Sequence, residues 1–305
     1  MEYPLLQSIE TTWLNEAGVK LALLRLDSID SQVSGNKAYK LAGYLEQVRN
    51  SCATGLISLG GAHSNHLHAL AAVGYRLGLS TVGLLRGEAQ LTPTVQDLTR
   101  WGMQLHWLGY GGYRARHHSS FWNEWLSHYP DHIPVPEGGS GWRGAKGCIS
   151  LIETLQQQLS SLGWDDYDAL WVAVGTGTTL AGLVVGEQGR HPVTGALAVP
   201  LDHGAQVSIS RCLEESGVVD AGYKLLDASR GGFARLDVAL ARFLTTFEAE
   251  TGVPLEPLYT GKMLLALQET IEAGHISAGQ RIIAVHTGGL QGRRALAARI
   301  HQLAQ

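Results

Sequence analysis

Apolar runs of strand length alternate with stretches of helical period along almost the whole chain. Strands are expected at Gly55–Leu59, Thr81–Leu85, Gln104–Leu108, Ala169–Val174, Val193–Val199 and Arg281–His286. Several are apolar at both odd and even positions, as parallel strands covered on two faces should be. Helical spacing predicts Lys40–Asn50, Asn65–Leu77, Pro93–Trp101, Ile149–Ser160, Thr179–Gln188, Val207–Glu215, Leu236–Glu250, Lys262–Ala273 and Gln291–Ala304. In the first of these, Leu41, Tyr44, Leu45 and Val48 keep the i, i+3, i+4, i+7 spacing of a buried helix face. β and α elements alternating at this pitch imply an α/β fold with parallel sheets flanked by helices. The segment Tyr110–Tyr129 has no clean period and is expected to form a loop over the site or a dimer contact.

The stretch Ser34–Leu41, S-G-N-K-A-Y-K-L, sets Lys37 and Lys40 three residues apart at the mouth of the first helix. A helix start disfavours cations, and two on one side repel. A bound anion would offset that cost. A lysine desolvated beside another cation also loses its proton and becomes nucleophilic. Against this stands the ordinary reading of K-x-x-K as a solvated surface helix. Two glycine and hydroxyl turns change the balance. They are Gly60-Gly61-Ala62-His63-Ser64-Asn65-His66 and Val174-Gly175-Thr176-Gly177-Thr178-Thr179, each after an apolar run and before a helix. The second suits a phosphate, which backbone N–H groups at a glycine turn and helix start bind well. It has neither the G-K-[ST] of a Walker loop nor the spaced G-x-G-x-x-G of dinucleotide sites.

With Y-T-G-K at Tyr259–Lys262 and H-T-G-G at His286–Gly289, these motifs make an ordered set of five from about Arg25 onward. The set resembles the 1-aminocyclopropane-1-carboxylate deaminase and D-cysteine desulfhydrase branch of pyridoxal-phosphate enzymes, within the tryptophan synthase β superfamily (fold type II). The resemblance implies a two-domain fold: a small domain at 38–146, and a large cofactor-binding domain from 1–37 and 147–305. It implies pyridoxal 5'-phosphate as cofactor, a small amino acid as substrate and a homodimer. Lys37 is then the lysine that bonds the cofactor and takes the substrate α-proton, with Lys40 as the competing assignment. Lys40, Gly175, Thr176, Gly177, Thr178 and Thr179 would surround the phosphate. Asn65 would meet the ring hydroxyl, and Ser64 the substrate carboxylate or leaving group, although Ser64 could equally be a plain helix cap. Tyr259 would lie against the pyridine ring, Thr260 would meet the ring nitrogen, and Thr287 would stand nearby.

Deaminases of this branch carry Glu where this chain has Thr260, and usually leucine where it has Thr287. A carboxylate would keep the ring nitrogen protonated and deepen the electron sink, whereas a neutral hydroxyl favours expulsion of a β-substituent. The implied activity is therefore deaminating β-elimination, with D-cysteine giving sulfide, pyruvate and ammonia. Cyclopropane opening is the alternative, and a racemase or a cofactor-binding protein without catalysis stands behind it. Two departures bear on substrate: Gly141 where the family has asparagine, and Phe233 where it has a second tyrosine.

Composition narrows the remaining classes. Charged residues are 16% and hydrophobic ones 45%, as in a compact enzyme. A net charge of −4 offers no basic field for nucleic acid. Cys52, Cys148 and Cys212 are odd in number and far apart, which suits reduced thiols in a cytoplasmic protein. No run reaches the roughly 18 apolar residues of a membrane span, and the first residues lack the pattern of a signal peptide. His63, His66 and His68 match no common zinc spacing, so no metal is expected. His66 is expected to support the site; His63 and His68 are expected at the surface or in helix packing.

Overall fold

The computed structural model describes residues 4–33, 35–218 and 222–305. Ser34, which opens the S-G-N-K motif, lies outside the described residues. Ten strands form two sheets. They are β1 Leu5–Ile9, β2 Lys20–Arg25, β3 Gly55–Gly60, β4 Ser80–Leu85, β5 Gln104–Trp107, β6 His132–Val135, β7 Ala169–Val174, β8 Val193–Leu197, β9 Tyr223–Asp227 and β10 Arg281–His286. The larger sheet runs β1-β2-β10-β7-β8-β9 and the smaller β5-β4-β3-β6. Only β1, paired to β2, is antiparallel among these ladders. β10 pairs with β2 on one side, Ile283 opposite Ala22, and with β7 on the other, Ile283 opposite Leu170.

The two-residue period of a strand explains why these runs are apolar throughout. Leu170, Val172 and Val174 of β7 and Ile283 and Val285 of β10 enter one core with Leu151, Leu155, Leu180 and Leu183. Their neighbours Trp171, Ala173, Ile282 and Ala284 enter the opposite core with Phe247, Met263 and Leu264. The small sheet is divided the same way, with Leu56 and Leu85 on one face and Ile57, Leu59, Val82 and Leu84 on the other.

The six expected strands are all present. Four further ones were missed: β1, β2, β6 and β9. β2 reads K-L-A-L-L-R, a run of helix formers that pairing on both edges holds extended. β9 is an edge strand of exposed and half-buried positions. A short helix that was not expected, Thr12–Ala17, comes first; the helix expected at Lys40–Asn50 runs Asn36–Arg49, so both lysines lie inside it. The helix Trp142–Cys148 was hidden by its glycines. There a Cβ on Gly147 would lie 2.0 Å from the Tyr39 carbonyl oxygen, so glycine permits the two helices to touch. The expected helix Ile149–Ser160 is Ser150–Gln156 plus a short turn, and Gln291–Ala304 is divided into Leu290–Arg293 and Ala297–Ala304. Tyr110–Tyr129, expected as a loop or dimer contact, forms the short helices Gly109–Arg114 and Phe121–His128. Their Tyr113 and Phe121 cover one face of the small sheet. Brief helices broken at Ala115–Ser120 give no sustained period, which is why the sequence pattern was unreadable there. Among the described residues no helix is long and apolar enough to cross a membrane.

Candidate active site

In each of the two sheets parallel strands deliver their following turns to the carboxyl edge, where α/β folds bind ligands, and turns from both sheets meet here. The turns after β3, β7 and β10 carry Ser64-Asn65, Gly175–Thr179 and Thr287–Gly289 respectively. The Lys37 helix is tied to the last of these. Gly35 has φ 75°, and the Asn36 N–H donates to the Thr287 carbonyl at 3.1 Å. A Cβ on Gly35 would fall 2.0 Å from that same oxygen, so the position admits glycine alone.

Lys37 is half-buried and Lys40 is 5% exposed. Burial, and then the Lys40 cation, lower the Lys37 ammonium from 10.5 to about 7. Burial lowers Lys40 as well. Lys37 Nζ donates to Asn36 Oδ1 at 2.7 Å, and Asn36 Nδ2 donates to Thr179 Oγ1 at 2.9 Å. Asn36, 6% exposed, thus links the lysine to the glycine-threonine turn. Sequence reasoning assigned it no part in the site, although it sits inside the motif. Lys40 Nζ lies 3.4 Å from the Gly138 carbonyl oxygen.

The turn after β7 has Gly177 at φ 81°, and the helix Thr178–Glu187 follows at once. A Cβ on Gly177 would meet Ile209 at 2.4 Å. The hydroxyls of Thr176 and Thr178 lie 3.0 Å apart at this helix start, whereas that of Thr179 is engaged by Asn36. Gly175 faces the aromatic ring of Tyr259, whose Cε1 would be 2.9 Å from an added Cβ.

Ser64 caps the helix Asn65–Leu77, accepting from the Leu67 N–H at 3.1 Å. Asn65 Oδ1 accepts from Gln291 Nε2 at 2.8 Å, and its Nδ2 would lie 2.5 Å from a Cβ on Gly289. The turn after β3 therefore meets the turn after β10. His66 is 2% exposed and its Nε2 lies 2.8 Å from Ser58 Oγ; its Nδ1 has no hydrogen-bond partner among the described residues. Burial, then the two lysines, push it to about 3, so it is neutral. His63 is exposed, while His68 is buried against Trp101 and lies 3.2 Å from Asp97. Among the described residues no group of three potential ligands could hold a metal.

On the far side of the cleft, Thr260 Oγ1 and Thr287 Oγ1 lie 3.3 Å apart, both buried. Burial raises the Tyr259 phenol above its ordinary value. Glu256, 1% exposed, accepts from the N–H groups of Leu258 and Tyr259 at 2.7 Å each. Burial pushes its carboxyl up to about 7 despite those donors. Phe233 packs edge-on to Tyr259 with centroids 5.4 Å apart. Of the expected site residues, Lys37 and Thr179 join through Asn36, Thr260 meets Thr287, Gly175 meets Tyr259, and Asn65 meets the Gly289 turn. Glu256 and Lys262 were missed; both are charged residues within an otherwise buried stretch, Glu256 four residues ahead of the helix Thr260–Glu272 and Lys262 its third residue.

A half-buried lysine whose ammonium is lowered to about 7, a glycine turn at a helix start and a ring packed beside it fit pyridoxal phosphate. The sequence matches the family described as pyridoxal-phosphate dependent enzyme over residues 4–288, and the chain belongs to that family. It is 27% identical over 306 residues to the mitochondrial bifunctional D-cysteine desulfhydrase/1-aminocyclopropane-1-carboxylate deaminase of Arabidopsis thaliana, covering 90% of this chain and 73% of that one. With the 1-aminocyclopropane-1-carboxylate deaminase of Variovorax paradoxus it shares 25% over 280 residues, covering 84% and 82% of the two chains. A solved structure described as an ACC deaminase homologue superposes with TM-score 0.86 at 23% identity, over 99% of this chain and 94% of that one. Both parallel sheets and their flanking helices are thus those of the tryptophan synthase β-like fold.

Proposed function

We propose that the chain is a deaminating β-eliminase acting on a small amino acid, with D-cysteine the substrate its site suits best. The observation carrying this reading is the buried pair Thr260 and Thr287, two neutral hydroxyls 3.3 Å apart where the deaminases of the branch carry a carboxylate and an apolar side chain. Pyridoxal phosphate, when bound, supplies an aldehyde for the substrate amine and a ring that accepts the electron pair left by the α-proton. Lys37 would hold the cofactor; Thr176, Thr178 and the N–H groups at the start of the helix Thr178–Glu187 would hold its phosphate, with Lys40 beside them. Tyr259 would cover the ring, Thr260 would donate to its nitrogen, and Asn65 Nδ2 would reach its hydroxyl.

The chain's own residues account for the proton transfers. The Lys37 amine, neutral in about half of the molecules at pH 7, takes the substrate α-proton, and the burial that holds it neutral also excludes water. Asn36 Oδ1 holds that amine in one place. Ser64 keeps its hydroxyl proton while accepting from Leu67, and so can donate to the substrate carboxylate or the departing thiolate. The net reaction is D-cysteine and water to hydrogen sulfide, pyruvate and ammonia.

Opening of 1-aminocyclopropane-1-carboxylate is the second reading, favoured by the names of the relatives in Arabidopsis and Variovorax. A screen of D- and L-amino acids bearing β-leaving groups, with the cyclopropane substrate alongside, separates the two through release of keto acid and sulfide. Efficient cyclopropane opening with D-cysteine ignored overturns the proposal. No keto acid from any of them means a cofactor-binding protein without this catalysis.

A further inference from the structure

Lys262 is the third residue of the helix Thr260–Glu272 and is 1% exposed. Its ammonium donates to three backbone carbonyls, those of Ser229 and Gly232 at 2.8 Å and of Phe233 at 2.9 Å. Three N–H bonds thus meet three acceptors, all on the turn that follows β9. That turn is strained: Arg230 at φ 54° and Gly231 at φ 80° are consecutive left-handed residues. Arg230 is anchored through Asp237 at 2.6 Å and Glu269 at 3.0 Å. The product of the arrangement is the placement of Phe233, a ring left 40% exposed and seated edge-on against Tyr259. Tyr259 in turn lies against Gly175.

We propose that Lys262 is a positioning residue that fixes the Ser229–Phe233 turn so that Phe233 forms an apolar wall of the substrate cleft, selecting amino acids with a small, soft β-substituent such as a thiol. The proposal rests on the functional reading above. An aromatic ring gains from sulfur contact but has no group to hydrogen-bond the hydroxyl of a serine side chain. The ammonium suits the task better than an apolar side chain, because three buried carbonyls without donors would open the turn. Burial lowers this ammonium to about 8, with Glu256, Asp237 and Asp227 holding the proton on and Arg230 opposing them. Above that pH one of the three donors is lost, and the wall loosens.

The test uses cofactor-loaded wild type, Lys262→Met, Phe233→Ala and the double variant. Kinetics with D-cysteine and D-serine are read beside limited trypsinolysis, since Arg230 lies in the turn. Lys262→Met is expected to raise the KM for D-cysteine about tenfold, with kcat changed far less and the preference over D-serine reduced. Phe233→Ala should do the same, and the double variant should be no worse than either, as expected of two residues acting as one device. The wild-type KM for D-cysteine should rise above pH 8, while that of Lys262→Met stays flat. Trypsin should cut after Arg230 in Lys262→Met and spare wild type. Additive effects, a resistant turn or a flat wild-type KM would each overturn the proposal. If Lys262→Met does not fold, the wild-type pH profile and Phe233→Ala still decide. If wild type turns over no amino acid, the functional reading falls while the trypsin comparison still judges the turn.

Discussion

Replacing Lys40 with Met tests how Lys37 comes to be a neutral amine. Lys37 is lowered by about 3.5 units, from 10.5 to about 7, which corresponds to on the order of 5 kcal/mol at 1.36 kcal/mol per unit. Burial is the larger cause and the Lys40 cation the next. The Cβ atoms of residues at i, i+3 stand about 5–6 Å apart, and side chains running alongside each other keep their charges at a separation of that order. Two charges at that distance repel by roughly 2–3 kcal/mol at an effective dielectric near 20, so Lys40 can supply at most about half of the shift. Lys40→Met keeps most of the length and burial of the side chain and removes its charge, together with the 3.4 Å contact to the Gly138 carbonyl oxygen. Lys37 in the variant should therefore titrate about 1–2 units higher. The sign is set by the amine reacting only when neutral, above its pKa. At pH 7.5 the neutral fraction would fall from roughly three-quarters to about one-tenth if the pKa rises by 1.5 units. Competitive acetylation of the cofactor-free protein, with mass mapping of Lys37 across pH 6 to 10, measures this directly. The wild-type rate should level off above about pH 8, and that of Lys40→Met only above about pH 9.5. Identical profiles would refute the electrostatic part and leave burial as the sole cause.

Gly35→Ala forces a left-handed residue onto the Thr287 carbonyl; it should cost at least about 2 kcal/mol, read as a lower Tm, with Lys37 exposed to labelling. Thr178→Val should weaken cofactor binding about tenfold or more, the loss expected of one hydrogen bond to a charged group. Thr179→Val should instead free Asn36 and alter Lys37 labelling more than cofactor affinity, since its hydroxyl accepts from Asn36. Equal effects in both assays would contradict that division. Thr260→Glu places a carboxylate beside Thr287 and should reduce keto-acid release from D-cysteine by roughly a hundred- to thousandfold; unchanged rates would show that residue 260 does not face the reacting ring.

Much of the fold was legible because two-sided burial writes itself as uninterrupted apolar runs. β7 and β10 were visible for that reason, Ala169–Val174 and 282–285 alternating between one core and the other. β2 was not, since leucine and alanine between lysine and arginine say nothing local about extension; its pairing with β1 and β10 decides it. At the site, the motif lysines and the glycine turns could be read from residue types alone. The assignment of Thr179 to a phosphate could not be refined, because its partner Asn36 is far from it along the chain and the bond exists only once the turns converge. The same holds for Lys262, whose three acceptors are backbone carbonyls and leave no trace in residue identity. Phe233 was recognisable as a departure, but its seat on Tyr259 required the turn after β9 to be in place.

The position of β10 has a consequence for how the chain matures. Among the described strands it is the last in chain order, yet it occupies the middle of the large sheet, with Lys20 opposite Arg281 on one side and Ala169 opposite Ile282 on the other. Until it emerges, β2 and β7 have no common partner, and the carbonyl that anchors Asn36 does not yet exist. A nascent chain can therefore close its small sheet early, but it must carry two open apolar edges until β10 emerges. Pairing across such sequence distance is slow and exposed to aggregation. Competence to capture the cofactor should arrive abruptly once β10 and the Thr287 turn are available, so that a chain cut before them behaves as an aggregation-prone precursor and never as a weak enzyme.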